Sequence, residues 1–268
     1  MMFWPMHFLP FLTVKNLFYF RILRIPFMMC GQNFFGIGYK RVPLREDFHL
    51  HSEDYKVENG GIIFPNPNAP TGILEELSVV EEILMANPGV VVIVDEAYVD
   101  FGGVSALKLL NKYDNLLVVQ TFSKSRAMAG MRIGFAIGSE KMISYLNDVK
   151  FSFNSYTMNQ TAIAMGVACV EDDAYFKEIV AKVVTTRERV KKELRNLGFT
   201  FLDSKSNFIF ATHQSVSAKE IFEACKKQQI YVRYFAKPRI DNYLRISIGT
   251  EEDMNSLIAF LGDFLKDR

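Results

Sequence analysis

The chain has 268 residues, of which 49% are apolar and 23% are charged, and its formal net charge is +1. This profile indicates a globular protein with a sizeable core in one large or two modest domains, and the near-neutral charge gives no support to a nucleic-acid partner. Three cysteines, Cys30, Cys169 and Cys225, have no metal-ligand spacing, and their odd number argues against a disulfide framework and favours a reducing cytoplasm.

Residues 1–35 differ in composition from the rest of the chain. They hold eight phenylalanines and five methionines, whereas the first acidic residue is Glu46 and the first alanine is Ala69. Residues 8–29 are apolar, but three basic residues and two prolines interrupt them. Because a charge at a bilayer centre costs about 2.5–3.5 kcal/mol, we expect no membrane span here. A signal peptide is also not expected, since no basic start or small-residue cleavage site is present.

The unusual N-terminus has a simple explanation in the reading frame. Suitable synonymous codons for residues 2–33, read from the third base of each codon, spell a segment of alternating polar and apolar order that continues into Phe35. We therefore hypothesise that about the first 35 residues are translated out of frame. A genuine divergent hydrophobic N-terminus is the alternative. A one-base insertion or deletion in the coding DNA near Phe34 would decide for the first.

From Gly36 onwards the pattern predicts alternating strands and helices. Short apolar runs predict strands, and apolar residues at helical spacing predict helices. This alternation predicts a parallel sheet with right-handed crossovers. The predicted strands are residues 39–44, 60–65, 90–94 and 116–119, and the predicted helices are residues 75–85 and 106–110.

The pattern changes after about residue 150. Residues 142–195 read as mostly helical, and their charged runs are typical of solvated helix faces. Further strands are predicted at residues 199–202, 207–210, 230–233 and 243–247, around a helix at residues 218–228. We therefore expect an atypical N-terminus at residues 1–35, a larger domain at residues 36–150 and a smaller α+β domain at residues 151–268.

A lysine lies where the strand at residues 116–119 ends. Lys124 is thus expected at the carboxyl edge of the sheet, where open α/β sheets bind their ligands. Thr121 and Ser123 offer hydroxyl groups beside it, and Arg132 offers a planar guanidinium suited to phosphate. A lysine so placed can form a Schiff base with an aldehyde that a phosphate group anchors. A solvated loop lysine is the alternative.

Two further stretches accompany the lysine. A buried strand ends at Asp95 with Tyr98 three residues beyond, and Asn-Pro-Asn-Ala-Pro-Thr-Gly at residues 66–72 forms a rigid turn. In order and spacing, the three motifs resemble fold-type I pyridoxal-phosphate aminotransferases, and most of all the histidinol-phosphate aminotransferase branch. The resemblance covers about residues 36–268. It implies an α/β fold with a mostly parallel-sheet cofactor domain and a smaller α+β C-terminal domain.

The resemblance also implies roles for individual residues. Lys124 would bind pyridoxal 5'-phosphate and then move the Cα proton, Asp95 would keep the ring nitrogen protonated, and Tyr98 would bond the phenolic oxygen. Many relatives have asparagine directly before Pro-Thr-Gly, where this chain has Ala69, so Asn68 is expected either to reach the ring or to shape the turn. The phosphate candidates are Ser123 and Arg132, with Thr121 a weaker one.

Two arginines are the candidates for the substrate. Arg245 matches the arginine that binds the substrate anion, and Arg233 matches a second one that the histidinol-phosphate branch uses for the substrate phosphate. Arg239 could compete for this role, and either candidate could instead sit in a surface ion pair. Glu96, beside Asp95, is expected to be structural. No histidine lies close to these two acids, so no metal is expected.

The resemblance also implies a function, to which there are three alternatives. We expect a cytoplasmic, homodimeric transaminase acting on histidinol phosphate and 2-oxoglutarate, with no nucleic-acid or membrane partner. An aromatic aminotransferase, a phospho-amino-acid decarboxylase, and a catalytically silent truncated product are the alternatives. The family's phosphate loop, stacking tyrosine and neighbouring-subunit tyrosine precede the region that matches here. We therefore expect weak cofactor binding and poor turnover from this polypeptide alone.

Overall fold

The computed structural model describes residues 18–22 and 38–266. Within them, six strands form one sheet in the order β2-β1-β3-β4-β5-β6. The first five strands in this order are parallel to one another, and β6 is antiparallel to β5. This confirms the predicted α/β class with a mostly parallel sheet. The strands are β1 (Phe18–Ile22), β2 (Tyr39–Pro43), β3 (Gly61–Pro65), β4 (Val92–Asp95), β5 (Leu116–Thr121) and β6 (Gly134–Gly138).

The middle of this sheet is buried because helices cover both of its faces. All five residues of β3 are buried, as are the first three residues of β4 and of β5. Such continuous apolar runs are typical of parallel strands covered on both sides. Helix α1 (Leu77–Ala86) packs Val80, Ile83 and Leu84 on one face, and α2 (Glu140–Phe153) packs Met142 and Leu146 on the other.

Strand β1 is the one element described within residues 1–35. It lies between β2 and β3, although the sequence predicted no strand there. Most of the segment assigned to the out-of-frame hypothesis, residues 1–17 and 23–35, lies outside the described residues. The hypothesis therefore stays a prediction that the coding DNA tests.

A second sheet follows three helices. The predicted helical stretch contains α2, α3 (Gln160–Glu171) and α4 (Asp173–Asn196), with Asn159 and Asp172 accepting hydrogen bonds from the first turns of the last two. The described strands of the second sheet are antiparallel, in the order β7-β8-β10-β9. They are β7 (Phe199–Phe201), β8 (Phe208–His213), β9 (Arg233–Tyr234) and β10 (Leu244–Ser247).

Helices α5 (Ala218–Lys227) and α6 (Glu251–Leu265) pack with α4 on the second sheet around one apolar cluster. Helix α6 begins with a reciprocal cap, in which Thr250 and Asp253 each accept the other's backbone N–H. No helix in the described part of the chain is long and apolar enough to cross a bilayer. Residue 150 falls inside α2, and a domain boundary there stays a prediction.

A buried arginine joins the two sheets. The Arg187 side chain on α4 is 2% exposed, and its Nη1 donates to the carbonyl oxygens of Phe101 (2.8 Å) and Ser206 (2.9 Å). Nearby, the Lys205 N–H donates to the Gly72 carbonyl oxygen at 2.8 Å. The loops that follow β3 and β4 are thereby fixed to the segment that leads into β8.

Gly72 is expected to tolerate no side chain at this junction. Its φ is +78°, and an added Cβ would lie 2.3 Å from Ser204 Oγ. We expect Gly72→Ala to lower the free energy of unfolding by about 1–3 kcal/mol, measured by urea denaturation. Gly89→Ala is the control, because an added Cβ there meets nothing within 4 Å. Equal losses in the two variants would contradict the expectation.

Candidate functional site

The candidate site forms at the carboxyl ends of β3, β4 and β5. Asp95 is the last residue of β4 and is paired with Pro65 on one side and Val119 on the other. The Asn66 N–H donates to the Asp95 carbonyl oxygen at 2.9 Å. Because parallel strands end together, this register brings the turn at residues 66–72, the acid and the lysine loop to one edge of the sheet.

Lys124 and Tyr98 lie next to each other in the two loops above this edge. The Lys124 Nζ is 5.3 Å from the centroid of the Tyr98 ring. Ser125, which is 4% exposed, donates a short hydrogen bond to Asp100 and so ties the two loops together. No sequence pattern predicts this bond, because it joins residues from two separate loops.

The Asp95 carboxyl group lies in a poorly solvated position, although the residue as a whole is only partly buried. Burial raises the pKa of Asp95 to about 6, while the Ala97 N–H and the Lys124 charge act in the opposite direction. The Ala97 N–H lies 3.1 Å from Asp95 Oδ1. A carboxylate with so few partners has capacity for a cationic group such as a protonated ring nitrogen.

Glu96 has a different environment. It is 2% exposed and accepts hydrogen bonds from Ser105 Oγ (2.6 Å), the Ala106 N–H (2.6 Å) and Gln120 Nε2 (2.9 Å). The pKa of Glu96 is raised, because burial outweighs the lowering effect of these three donors. The side chain thus fastens β5 to the segment that follows Gly103, in keeping with the structural role predicted for it.

Two buried polar atoms at the site have no hydrogen-bond partner among the described residues. They are Asn68 Oδ1 and Arg245 Nε; a third such atom, Arg189 Nε, belongs to an arginine paired with Glu193 and Glu251. Asn68 is 1% exposed, and its Nδ2 donates to Thr71 Oγ1 at 2.6 Å. Since unsatisfied buried polar groups are rare, these two atoms lack partners that a polar ligand could supply.

The phosphate candidates have partners within the protein. Thr121 Oγ1 donates to the Ile133 carbonyl oxygen (3.1 Å) and accepts from the Ser123 N–H (3.1 Å), so its proton is already used. Arg132 has a left-handed φ of 57° and its Nη1 donates to the Ala129 carbonyl oxygen at 2.7 Å. Ser123 is half-buried directly beside Lys124. Phosphate binding by these three residues stays a prediction.

Arg233 and Arg245 lie directly opposite each other on β9 and β10. Side chains of directly paired residues emerge on the same face of a sheet. The Arg245 Cζ is 5.0 Å from the centroid of the Phe208 ring, and the Arg233 Cζ is 5.8 Å from that of Phe235. Arg239, in contrast, donates to the carbonyl oxygens of Leu44 and Arg45 and so binds the protein backbone.

Phe208 connects the substrate candidates with the lysine. Its ring packs edge-on against Tyr98, with the centroids 5.2 Å apart, and Arg245 lies over the same ring. Lys124, Tyr98, Phe208 and Arg245 therefore form a continuous row between the two sheets. Phe208 was not predicted as a site residue, since its sequence context indicates only an apolar strand.

Comparison with known proteins agrees with this arrangement. Residues 32–261 match the family model for aminotransferase class I and II. The chain belongs to this family. It is 51% identical over 237 residues to histidinol-phosphate aminotransferase 1 of Hydrogenovibrio crunogenus, which covers 88% of this chain. It is 45% identical over 261 residues, or 97% of this chain, to the histidinol-phosphate aminotransferase of Brachyspira hyodysenteriae.

These aminotransferase relatives are longer than this chain. The chain spans 66% of the Hydrogenovibrio protein and 74% of the Brachyspira protein. A solved histidinol-phosphate aminotransferase from Sinorhizobium meliloti, in complex with pyridoxal-5'-phosphate, superposes with a TM-score of 0.84 at 20% identity. The match covers 98% of this chain and 74% of that one. This likeness establishes the fold.

The residues present at the site fit pyridoxal phosphate. Asp95 carries a carboxylate in need of a cationic partner, and Asn68 Oδ1 is a buried acceptor without a donor. The Lys124 side chain supplies an amine next to the Tyr98 ring. A protonated pyridine ring that carries an aldehyde group would meet the requirements of Asp95 and Lys124.

Proposed function

We propose that this chain is the major part of a pyridoxal-phosphate-dependent transaminase that exchanges an amino group between histidinol phosphate and 2-oxoglutarate. The observation that carries the proposal is the row from Lys124 through Tyr98 and Phe208 to Arg245, with Arg233 opposite. It brings a reactive amine and two guanidinium groups to one cleft. The names of the Hydrogenovibrio and Brachyspira relatives support the choice of substrate.

Three side chains would hold the cofactor ring. The Asp95 carboxylate would bond the protonated ring nitrogen, Tyr98 would donate to the phenolic oxygen, and Asn68 would supply a further polar contact. When bound, pyridoxal phosphate supplies an electron-withdrawing ring that makes the Cα–H of an amino donor acidic. Ser123 and Arg132 would hold the phosphate group, with Thr121 the weaker candidate because its proton is committed to Ile133.

Lys124 would move the proton of the reaction. Its ε-amine is a base that can take the proton from Cα and return it to the neighbouring carbon of the cofactor. The Tyr98 ring beneath the amine restricts where the amine can go.

The arginine pair would select a phosphate-bearing substrate. Like charges directly opposite each other on adjacent strands repel, and a bound dianion turns this repulsion into attraction. A single carboxylate needs only one guanidinium. Histidinol phosphate has a phosphate group and no carboxylate, so the pair suits it better than it suits an ordinary amino acid.

Removing the exposed member of the pair is expected to affect phosphate-bearing substrates selectively. We expect Arg233→Met to raise the KM for histidinol phosphate about 10- to 100-fold, since a charge-assisted bond contributes about 1.5–3 kcal/mol. The KM for phenylalanine, which has no phosphate, should change little. Arg41→Met, on the outer strand β2, is the control. An equal rise for both substrates would contradict selection by Arg233.

Product analysis tests the proposed function. The chain loaded with pyridoxal phosphate should form glutamate from histidinol phosphate and 2-oxoglutarate. Faster reaction with phenylalanine would favour an aromatic aminotransferase, and release of carbon dioxide a phospho-amino-acid decarboxylase. Failure to bind the cofactor would favour the silent truncated product.

The proposal also covers the oligomeric state of the enzyme and its cellular compartment. We propose that the enzyme acts as a homodimer in the cytoplasm on small-molecule substrates. Cys169 and Cys225 are free thiols, which supports a reducing compartment. We also propose that this polypeptide binds the cofactor weakly by itself, because two of its phosphate candidates, Thr121 and Arg132, already have partners within the protein. Equilibrium dialysis with pyridoxal phosphate measures this affinity.

A further inference from the structure

An arginine that the proposed function does not use lies two residues after Lys124. The Arg126 guanidinium lies between two aromatic rings, with its Cζ 5.3 Å from the centroid of Phe122 and 4.1 Å from that of Phe176. Its Nη1 donates to the Cys169 carbonyl oxygen at 2.8 Å. The Arg126 side chain thus contacts its own loop, helix α3 and helix α4.

The end of α3 and the start of α4, which we call the α3–α4 corner (residues 169–176), suit a guanidinium group. Cys169 lies in the last turn of α3, where carbonyl oxygens have no intrahelical donor and the helix dipole is negative. Phe176 lies near the start of α4, and the face of an aromatic ring attracts a cation. Arg126 therefore binds this corner through a charge-assisted hydrogen bond and through stacking.

The lysine loop, residues 122–133 between β5 and β6, has two strained points. Ala127 and Arg132 have left-handed φ values of 53° and 57°, a conformation that residues with a Cβ adopt at an energetic cost. Such residues persist where the surrounding structure fixes them. The Ala127 N–H donates to the Lys124 carbonyl oxygen at 3.1 Å, so the first strained residue is bonded to the backbone of the lysine. The position of Lys124 therefore depends on contacts that hold this loop from outside.

Two consecutive side chains supply such contacts directly after the lysine. The Ser125 hydroxyl donates to Asp100 and fixes the lysine loop to the loop that carries Tyr98. The Arg126 side chain fixes it to the α3–α4 corner. Because the two side chains bind different parts of the fold, they restrict the backbone after Lys124 from two sides.

We propose that Arg126 is a positioning residue, which keeps the Lys124 amine beside Tyr98 by anchoring the lysine loop on the α3–α4 corner. This inference rests on the proposed role of Lys124 in binding pyridoxal phosphate. Without the anchor, the strained backbone at Ala127 and Arg132 would relax, and the amine would leave the position from which it can attack an aldehyde. Arg132, a candidate for the cofactor phosphate, would move with the same loop.

Amide hydrogen exchange of the chain without cofactor tests the anchor itself. We expect Arg126→Met to speed exchange about tenfold or more at residues 127–128, whose N–H groups are hydrogen-bonded within the lysine loop. Methionine keeps an apolar side chain between the two rings, but it has no donor for the Cys169 carbonyl oxygen. Arg195→Met is the matched control, because the Arg195 Cζ also lies over a ring, 4.7 Å from the centroid of Phe201 in the second sheet. It should leave exchange in the lysine loop unchanged.

Borohydride labelling with pyridoxal phosphate tests the effect on the amine. In Arg126→Met, we expect labelling of Lys124 to fall about tenfold relative to labelling of Lys112, whose side chain is 66% exposed. A merely structural role would lower the melting temperature without changing this ratio. Arg126→Gln keeps a planar group with an N–H donor for the Cys169 carbonyl oxygen, so it should recover part of the labelling.

The two measurements distinguish failure of this inference from failure of the proposed function. Unchanged exchange in Arg126→Met would overturn the inference, because the lysine loop would not need the anchor. Faster exchange with an unchanged labelling ratio would also overturn it, because Arg126 would then stabilise the loop without positioning the amine. If Lys124 of the unmodified chain took no label, the proposed function would fail, and the exchange result alone would decide whether Arg126 anchors the loop.

Discussion

Replacing Lys124 by alanine is expected to abolish covalent attachment of pyridoxal phosphate to the chain. Sodium borohydride should fix the cofactor to the Lys124 Nζ in the unmodified protein, and peptide mass spectrometry should find the added group on that residue. In Lys124→Ala the label should disappear, and transamination should fall by about 10³-fold or more, because the same amine also moves the proton. The Lys124 Nζ lies 5.3 Å from the centroid of the Tyr98 ring, so it is placed beside the residue that is proposed to bond the phenolic oxygen of the cofactor.

The label distinguishes a site lysine from a surface lysine. Lys112 has a side chain that is 66% exposed and is paired with Glu81, so Lys112→Ala should leave the labelling of Lys124 unchanged. The melting temperatures of both variants without cofactor should match that of the unmodified chain. Borohydride labelling of Lys124→Ala at the original yield would refute the proposed role of this amine.

The central strands could be predicted from the sequence, because they are buried on both faces. The expected strand at residues 90–94 is observed as Val92–Asp95, and the one at residues 116–119 as Leu116–Thr121. Strand β6 was not predicted. Its sequence, Gly-Phe-Ala-Ile-Gly, is short and bounded by glycines, and its antiparallel pairing with β5 depends on a tertiary contact.

The site residues also fall into those whose positions could be predicted from the sequence and those whose positions could not. Asp95, Tyr98 and Lys124 follow the ends of strongly patterned strands, so their meeting at one edge could be predicted. The face-to-face position of Arg233 and Arg245 could not, because it depends on register. The strand expected at residues 230–233 is observed only at Arg233–Tyr234, so the prediction was wrong over its first three residues.

Replacing Asp95 by asparagine is expected to stabilise the chain without cofactor and to reduce strongly its stabilisation by cofactor. Burial raises the pKa of Asp95 from 3.8 to about 6 in the folded state. The fold therefore favours the protonated carboxyl, and the unfavourable charge is present above the folded pKa. Two pKa units correspond to about 3 kcal/mol, which is an upper limit because the residue is only partly buried.

The direction of the pH dependence follows from the raised pKa. Below the unfolded pKa of 3.8, both states bind the proton and Asp95 contributes no destabilisation. Between about pH 4 and pH 6 the unfolded chain loses the proton first, so the free energy of unfolding decreases as the pH rises. Above about pH 6 the decrease is complete. Urea denaturation should show Asp95→Asn more stable than the unmodified chain at pH 7.5, and equal to it near pH 3.5.

A second carboxylate gives a control of opposite sign. Burial alone would raise the pKa of Asp203, but hydrogen bonds from Lys191 and Lys205 lower it, so Asp203→Asn should lose stability at pH 7.5. Added pyridoxal phosphate should stabilise the unmodified chain by RT ln(1 + [L]/Kd), because its ring nitrogen would give the Asp95 carboxylate a cationic partner. It should stabilise Asp95→Asn much less. If Asp95→Asn lowered stability at pH 7.5 without cofactor, the buried charge at the end of β4 would have a partner within the protein. The Asp95 carboxylate would then not be available to bind the ring nitrogen of the cofactor.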